Sequence, residues 1–202
     1  MKNSKENCFD SSKHIKKLGE IADFKRGPFG GSLKKEIFIS DGYQVYEQQH
    51  AIKNDFTLGR YFISEEKFQK MKDFELLTGD LIMSCSGTIG KIAVFPENAR
   101  KGIINQALLR FRPHKEITTT KYLNVCLSHI TNKFIENSHG TGLKNVASVS
   151  VLKEIGVYCP PLPEQEEIVS EIEKIENKIT ELEKEIKAIP EQKEAVLKKN
   201  LE

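Results

Sequence analysis

Apolar residues near the C-terminal end of the chain recur at alternating intervals of four and three residues. The seven positions are Ile168, Ile172, Ile175, Ile179, Leu182, Ile186 and Ile189. This spacing is the heptad pattern of a coiled-coil helix, and the positions around it are mostly charged. A helix cannot bury so narrow a stripe by itself, so the pattern predicts that a second helix packs against it.

Prolines mark both expected ends of this helix. Pro163 followed by glutamates is typical of a helix start, because the missing N–H costs nothing there and the helix dipole favours acidic groups. Pro190 is expected to kink or stop the helix, because it cannot donate to the carbonyl of Ile186. The predicted helix covers residues 164–189 and is about 39 Å long, and a weaker helical segment follows.

Upstream of this helix, the apolar runs are shorter and are separated by glycine-rich or polar turns. They predict strands at residues 18–24, 43–48, 81–84, 107–113 and 154–158, with a hairpin-like connection at 86–90. Ser64 is expected to cap a short helix. The pattern therefore predicts an α+β fold, with a mostly β domain over residues 1–160 and a helical arm over residues 161–202.

One further helix is predicted over residues 119–137, where Leu123, Leu127, Ile130 and Phe134 share a face. Within this chain, only this helix is long enough to pair with the heptad stripe. We expect its apolar face to pack on the sheet instead, which leaves the stripe for another molecule.

Charge is distributed unevenly between the two parts. Residues 161–202 contain 7 lysines and 12 glutamates, a net charge of −5, and residues 1–160 contain 24 basic and 17 acidic residues, a net charge of +7. A basic domain attached to an acidic helix is consistent with a polyanion as partner of the domain and a protein as partner of the helix. A merely soluble surface would explain the same excess.

The residues expected of a metal site, a membrane protein or an enzyme are missing from the sequence. The four cysteines are scattered without a CxxC motif, which predicts no zinc site and no disulfide framework. A polar N-terminus and the lack of a long apolar run predict a cytoplasmic protein without a membrane partner. Residues 87–91 lack the spacing of a phosphate-binding loop, and no GxSxG or HExxH motif occurs.

Four segments, taken in order, resemble the DNA specificity subunit of type I restriction-modification systems. They are residues 18–21 before a glycine-rich loop, residues 79–91, residues 104–108, and the segment Pro160-Pro161-Leu162-Pro163-Glu164-Gln165 before a long helix. Together they lie within residues 18–189. In that family, a full-length subunit has two target recognition domains and two long antiparallel helices, and each domain reads one part of a bipartite DNA site.

This sequence has one such domain and one helix, so it resembles half a subunit, whether a short gene product or a truncated one. The resemblance implies a homodimer through residues 168–189 that reads double-stranded DNA at a site with palindromic ends. It also implies methyltransferase (M) and restriction (R) subunits as partners, with S-adenosylmethionine, ATP and Mg confined to them and no catalysis by this chain. Antiparallel pairing comes from the family, since isoleucine at both core positions leaves the direction open.

DNA recognition requires basic groups for phosphates and amides, hydroxyls or arginine for base edges. The loop over residues 25–35 has three glycines and four basic residues, and it supplies several of the candidates. The predicted DNA-binding residues are Lys25, Arg26, Lys34, Lys35, Gln48, Gln49, Ser84, Ser86, Thr88, Lys91, Lys144 and Asn145. For each of them a solvated or turn-stabilising side chain is the alternative. Asn105 and Gln106 match a pattern of the family, and satisfying backbone groups inside the fold is the alternative role for them.

Three other functions fit the same residues. The chain could be a DNA-binding regulatory fragment that joins no methyltransferase, or the recognition domain of a single-chain restriction-methylation enzyme. It could also be a coiled-coil adaptor whose basic domain binds protein, in which case its binding would be insensitive to salt.

Overall fold

The structure is a computed structural model that describes residues 14–136 and 149–201. Its strands are β1 (Ile15–Lys17), β2 (Ala22–Arg26), β3 (Tyr43–Tyr46), β4 (Phe62–Ile63), β5 (Leu81–Ser84), β6 (Ile92–Val94), β7 (Gly102–Ile104), β8 (Leu108–Pro113) and β9 (Gly156–Tyr158). Its helices are α1 (Leu18–Ile21), α2 (Gln48–Lys53), α3 (Glu65–Lys70), α4 (Thr120–Glu136), α5 (Val149–Lys153) and α6 (Leu162–Leu201). The predicted α+β class and the long C-terminal helix are confirmed.

Three sheets organise the domain. The largest has the order β2-β8-β5-β6 and is antiparallel throughout. A second sheet has the order β4-β3-β7, with β3 parallel to β7. The short strands β1 and β9 pair with each other and so bring residue 15 beside residue 158, next to the start of α6.

The four-stranded sheet is covered on both faces. On one face, helices α1, α4 and α5 pack on the sheet through a cluster that includes Leu18, Leu81, Phe111, Leu123 and Leu152. On the other face, α2 and the three-stranded sheet enclose a second cluster, which includes Tyr46, Ile82, Phe95, Ile104 and Leu108. Helix α4 therefore buries its apolar face against the sheet, as the sequence predicted.

Several local predictions are confirmed by the described residues. Strands β5 and β6 form the predicted hairpin, and β8 is the strand expected at 107–113. Ser64 accepts a hydrogen bond from the amide N of Lys67 and caps α3, as predicted.

Three strand predictions were too long, and the one at residues 154–158 forms β9 only over Gly156–Tyr158. Residues 18–21 form helix α1, because Leu18 and Ile21, three residues apart, both enter the core. Glu20 caps this helix by accepting a hydrogen bond from the backbone N of Lys17. Strand β3 ends at Tyr46, and Gln48 begins α2 instead of ending the strand.

Helix α6 is 40 residues long and continues through Pro190, so it extends beyond the end predicted at residue 189 and does not stop at this proline. Pro190, residues 191–199 and Ile186 are exposed, so water can reach the Ile186 carbonyl that the proline leaves without an N–H partner. Hydration lowers the cost of the proline, and the two predicted segments form one helix about 60 Å long.

Candidate nucleic-acid interface

The ends of several strands meet at one edge of the four-stranded sheet. Strand β2 ends at Arg26 opposite Leu109, and β5 ends at Ser84 opposite Leu108. Strands β3 and β7 also end here, because the amide N of Asn105, just after β7, donates to the carbonyl of Tyr46 at 2.9 Å. Three loops and the start of α2 therefore lie side by side, and we call them together the recognition edge (residues 26–29, 47–49, 85–91 and 105–107).

Arg26 and the turn over residues 105–107 form one side of this edge. The Arg26 Nε donates to the carbonyl of Gln106 at 2.9 Å, and the Gly27 N donates to the carbonyl of Leu108 at 3.0 Å. A Cβ atom at Gly27 would lie 1.8 Å from the carbonyl oxygen of Asn105, so no larger residue fits without moving the backbone. Gln106 is exposed beside Arg26.

The turn between β5 and β6 forms the middle of the edge. The Ser84 hydroxyl donates to the carbonyl of Thr88 at 2.6 Å and accepts from the amide N of Lys91 at 3.0 Å. Gly87 has a φ of 62°, in the left-handed region that glycine adopts without strain. This turn holds Ser86, Thr88 and Lys91 on the surface, where all three are exposed.

Helix α2 begins beside this turn. A Cβ built at Gly87 would lie 3.4 Å from the Gln48 Nε2, so the two residues are neighbours. The Gln48 Oε1 is shielded from solvent and has no hydrogen-bond partner among the described residues. The amide of Gln49 donates to Glu47 at 3.3 Å, and Glu47 also pairs with Arg60 at 3.0 Å. Gln48 therefore has an unused acceptor at the edge, while the amide of Gln49 has a protein partner.

The structure brings together only part of the predicted DNA-binding set. Arg26, Gln48, Gln49, Ser86, Thr88 and Lys91 lie on the recognition edge. Lys34 and Lys35 are exposed in the following loop, and none of their described contacts joins them to the edge. Lys144 and Asn145 lie outside the described residues.

Two members of the set have protein partners that favour the alternative role. Ser84 is fully buried and its hydroxyl stabilises the turn, which favours the turn-stabilising alternative over base reading for this residue. Lys25 forms an ion pair with Asp73 at 3.3 Å and lies over the ring of Phe74. The Asn105 Oδ1 accepts from the amide N of Ala107 at 2.9 Å, which is the alternative, backbone role for this residue.

Helix α6 exposes the heptad stripe. Its first turns pack on α4, where Val169 is buried and Lys121 pairs with Glu173 at 2.8 Å. Further along, the stripe residues are between 44% and 65% exposed, namely Ile175, Ile179, Leu182, Ile186 and Ile189. Helix α4, the partner within the chain, therefore covers only the start of the stripe and leaves the rest exposed.

Gln165 fixes α6 to the domain, a role that the sequence reasoning missed. It is fully buried, and its Oε1 accepts from the amide N of Thr119 at 3.0 Å. Its Nε2 donates to the carbonyls of Ile117 and Pro160, each at 2.8 Å. An uncharged amide among the glutamates of the first turns was the available signal, because glutamate would bring a buried charge.

Residues 14–136 and 149–201 contain neither a metal-binding cluster nor a membrane-spanning helix. No group of three or more His, Cys, Asp or Glu side chains could hold a metal ion there. Of the helices described, none is long and apolar enough to cross a membrane.

The fold and this surface define an α+β domain that presents a polar loop edge with two basic residues and carries one long helix. The family model of the type I restriction modification DNA specificity domain matches residues 11–191, and the chain therefore belongs to this family.

Individual relatives are similar over part of their length. The type I restriction enzyme MjaX specificity subunit of Methanocaldococcus jannaschii is 26% identical over 143 residues, which are 68% of this chain and 34% of the relative. The HsdS subunit from Thermoanaerobacter tengcongensis has a TM-score of 0.61 at 19% identity, covering 84% of this chain and 39% of that chain.

Two more solved chains share the fold. A chain from a structural study of complex assembly and conformational transition of the type I R-M system has a TM-score of 0.63 at 21% identity, covering 92% of this chain and 42% of that one. The type I restriction-modification S subunit from M. genitalium has a TM-score of 0.56 at 17% identity, with 92% and 45% covered. This chain thus spans less than half the length of these relatives.

Proposed function

We propose that this chain is a DNA specificity subunit of a type I restriction-modification complex that acts as a homodimer. The observation that carries the proposal is the pairing, in a member of this family, of a polar recognition edge with an exposed heptad stripe. The edge supplies the chemistry for one half of a DNA site, and the stripe supplies the contact with a second copy that reads the other half.

The recognition edge has side chains suited to both parts of a DNA contact. Lys91 is a phosphate contact, and the Arg26 guanidinium has donors that read base edges in the major groove. The Gln48 amide can do so once its side chain turns outward, because its Oε1 is shielded and has no partner among the described residues. Ser86 and Thr88 add hydroxyls on a turn held by Ser84. Because the strands fix these loops, the edge is ordered before DNA binds, which lowers the entropy cost of binding.

The dimer forms through α6, and charge along the helix favours antiparallel pairing. Residues 164–173 contain five glutamates and no lysine, whereas residues 193–199 contain three lysines and one glutamate. In a parallel pair the acidic segments would lie together, but in an antiparallel pair each faces the more basic segment of its partner. Antiparallel macrodipoles add to this preference.

The proposal assigns partners and domain roles by analogy with the family. Residues 1–160 act as the target recognition domain and residues 161–202 as the dimerisation and spacer arm. In this proposal, methyltransferase and restriction subunits act with the chain in the cytoplasm and carry S-adenosylmethionine, ATP and Mg, and the chain itself contributes recognition and no catalysis.

Selection from a pool of random DNA duplexes tests the proposal directly. We expect the bound duplexes to share one motif with inverted halves at a fixed spacing. The variant Ile179→Asp places a charge in the stripe, and we expect it to be monomeric and to enrich a single half-site. Asn177→Asp places the same charge on the outer face of the helix and should behave as wild type.

Absence of an enriched motif with the wild-type chain would refute the proposed function. If the Ile179→Asp variant sediments as a dimer, only the role of the stripe in dimerisation is refuted.

A further inference from the structure

Phe29 lies at the tip of the loop that follows Arg26, and its side chain is 92% exposed. The other phenylalanines whose side chains the structure describes are buried or half-buried. An exposed aromatic ring lacks the favourable free energy that burial would provide. Contact with a binding partner would bury the ring and supply this free energy, so Phe29 is a candidate binding residue.

The loop fixes the position of this ring relative to the recognition edge. Gly27 is held against Asn105 and Leu108, and Pro28 is buried. The Ser32 N donates to the carbonyl of Phe29 at 2.9 Å, which closes a turn immediately after the ring. Phe29 therefore projects from a loop whose base is part of the edge, three residues from Arg26.

The residues near Phe29 indicate which kind of partner it contacts. The edge beside it presents Arg26 and Lys91, and both are exposed, so an anion is the matching surface. An apolar ring next to cationic and amide groups suits a DNA groove, where aromatic rings contact the methyl group of thymine or insert between base steps. A protein partner would favour an apolar patch around the ring, whereas the exposed residues that follow it along the loop, Gly31 and Ser32, are small or polar.

We propose that Phe29 is buried against the bases when the recognition edge binds duplex DNA, and that it contributes an apolar, salt-independent part of the affinity. This inference rests on the proposed function, because it requires that the recognition edge meets DNA.

Tryptophan substitution gives a direct measurement, because the chain contains no tryptophan. The variant Phe29→Trp reports the environment of position 29 alone. On saturation with a duplex carrying the selected motif, we expect its emission to be quenched and the ring to be shielded from acrylamide. The control Leu77→Trp replaces a residue that is 44% exposed and precedes β5, at the opposite edge of the sheet, and should report no change.

Affinity measurements provide the second readout. We expect Phe29→Ala to weaken binding of the selected duplex by about tenfold, since a buried phenylalanine ring is lost. The slope of binding against salt should stay unchanged, because no phosphate contact is removed. Leu77→Ala should bind as wild type.

The outcomes separate this inference from the proposed function. If wild-type protein binds the selected duplex but Phe29→Trp binds it with unchanged emission and acrylamide access, Phe29 stays in solvent and the inference is wrong. Unchanged affinity of Phe29→Ala would likewise overturn it while leaving the proposed function in place. If the wild-type chain binds no duplex, both fail together.

Discussion

Ser84 shows how burial decides the role of a residue that sequence alone leaves open. A serine beside a glycine-rich turn is an equally good candidate for base reading and for turn stabilisation. The structure places its hydroxyl inside, between the carbonyl of Thr88 and the amide N of Lys91. Ser86, two residues later on the same turn, is exposed, and its hydroxyl is accessible to a ligand.

The two serines should therefore separate stability from binding. We expect Ser84→Ala to lower the free energy of unfolding by about 1–2 kcal/mol, because two backbone groups in a part-buried turn lose their hydrogen-bond partner. Ser86→Ala should change it by less than about 0.5 kcal/mol and should weaken DNA binding instead. Urea unfolding and duplex binding of both variants provide the comparison. Equal stability of the two variants would contradict the assigned roles.

Cys85 lies at the recognition edge, but its thiol is buried and inaccessible to reagents in solution. Burial raises the pKa of its thiol to about 11, so only about one thiol in a thousand is ionised at pH 8. Burial also raises the pKa of Cys126, to about 12. We expect both thiols to resist iodoacetamide in the folded protein at pH 8 and to react in urea. Peptide mapping by mass spectrometry measures this, and rapid labelling of folded Cys85 would contradict its burial.

At the scale of elements, periodicity located most helices and strands but missed the short ones. Helices α4 and α6 could be located from the sequence, because their apolar positions repeat with a helical period over several turns. Residues 18–21 form a single turn, too short for a helical period to emerge from an alternating one. Only the separate loops of the recognition edge could be predicted. Local sequence patterns do not reveal which strands pair, and the strand order is what brings these loops together.

Gln165 joins two elements that would otherwise move relative to each other. We expect Gln165→Leu to lower the free energy of unfolding by at least about 2 kcal/mol, because buried groups near Thr119 and Pro160 lose their partner. Gln192→Leu, the same change at an exposed position of α6, should alter stability by less than about 0.5 kcal/mol. Thermal and urea unfolding can measure both, and a stable Gln165→Leu variant would refute the anchoring role.

Pro190 interrupts the hydrogen bonding of a helix that nevertheless continues. Pro190→Ala restores an N–H donor for the carbonyl of Ile186 and should stabilise the helix by up to about 3 kcal/mol. We expect stronger helical circular dichroism and a higher unfolding midpoint. Gln192→Ala, two residues away, should shift the midpoint far less. A lower midpoint for Pro190→Ala would indicate that the helix requires the proline.

At the scale of the molecule, the chain is a domain with one exposed apolar stripe and one polar edge, at separate places in the fold. The first turns of α6 lie on the domain and the remainder extends from it. A second copy paired along the stripe would place a recognition edge on each side of the helix pair, at a separation fixed by helix length. This arrangement predicts a DNA site with two inverted halves.

Coexpression with the methyltransferase subunit of the same system, in a host without modification, tests this prediction most directly. Mapping methylated bases across the genome would then show which sites the complex reads. We expect one bipartite motif with palindromic ends, and its loss in the Ile179→Asp variant but not in Asn177→Asp. A stable complex that methylates nothing, or a motif with two dissimilar halves, would contradict a homodimeric specificity subunit.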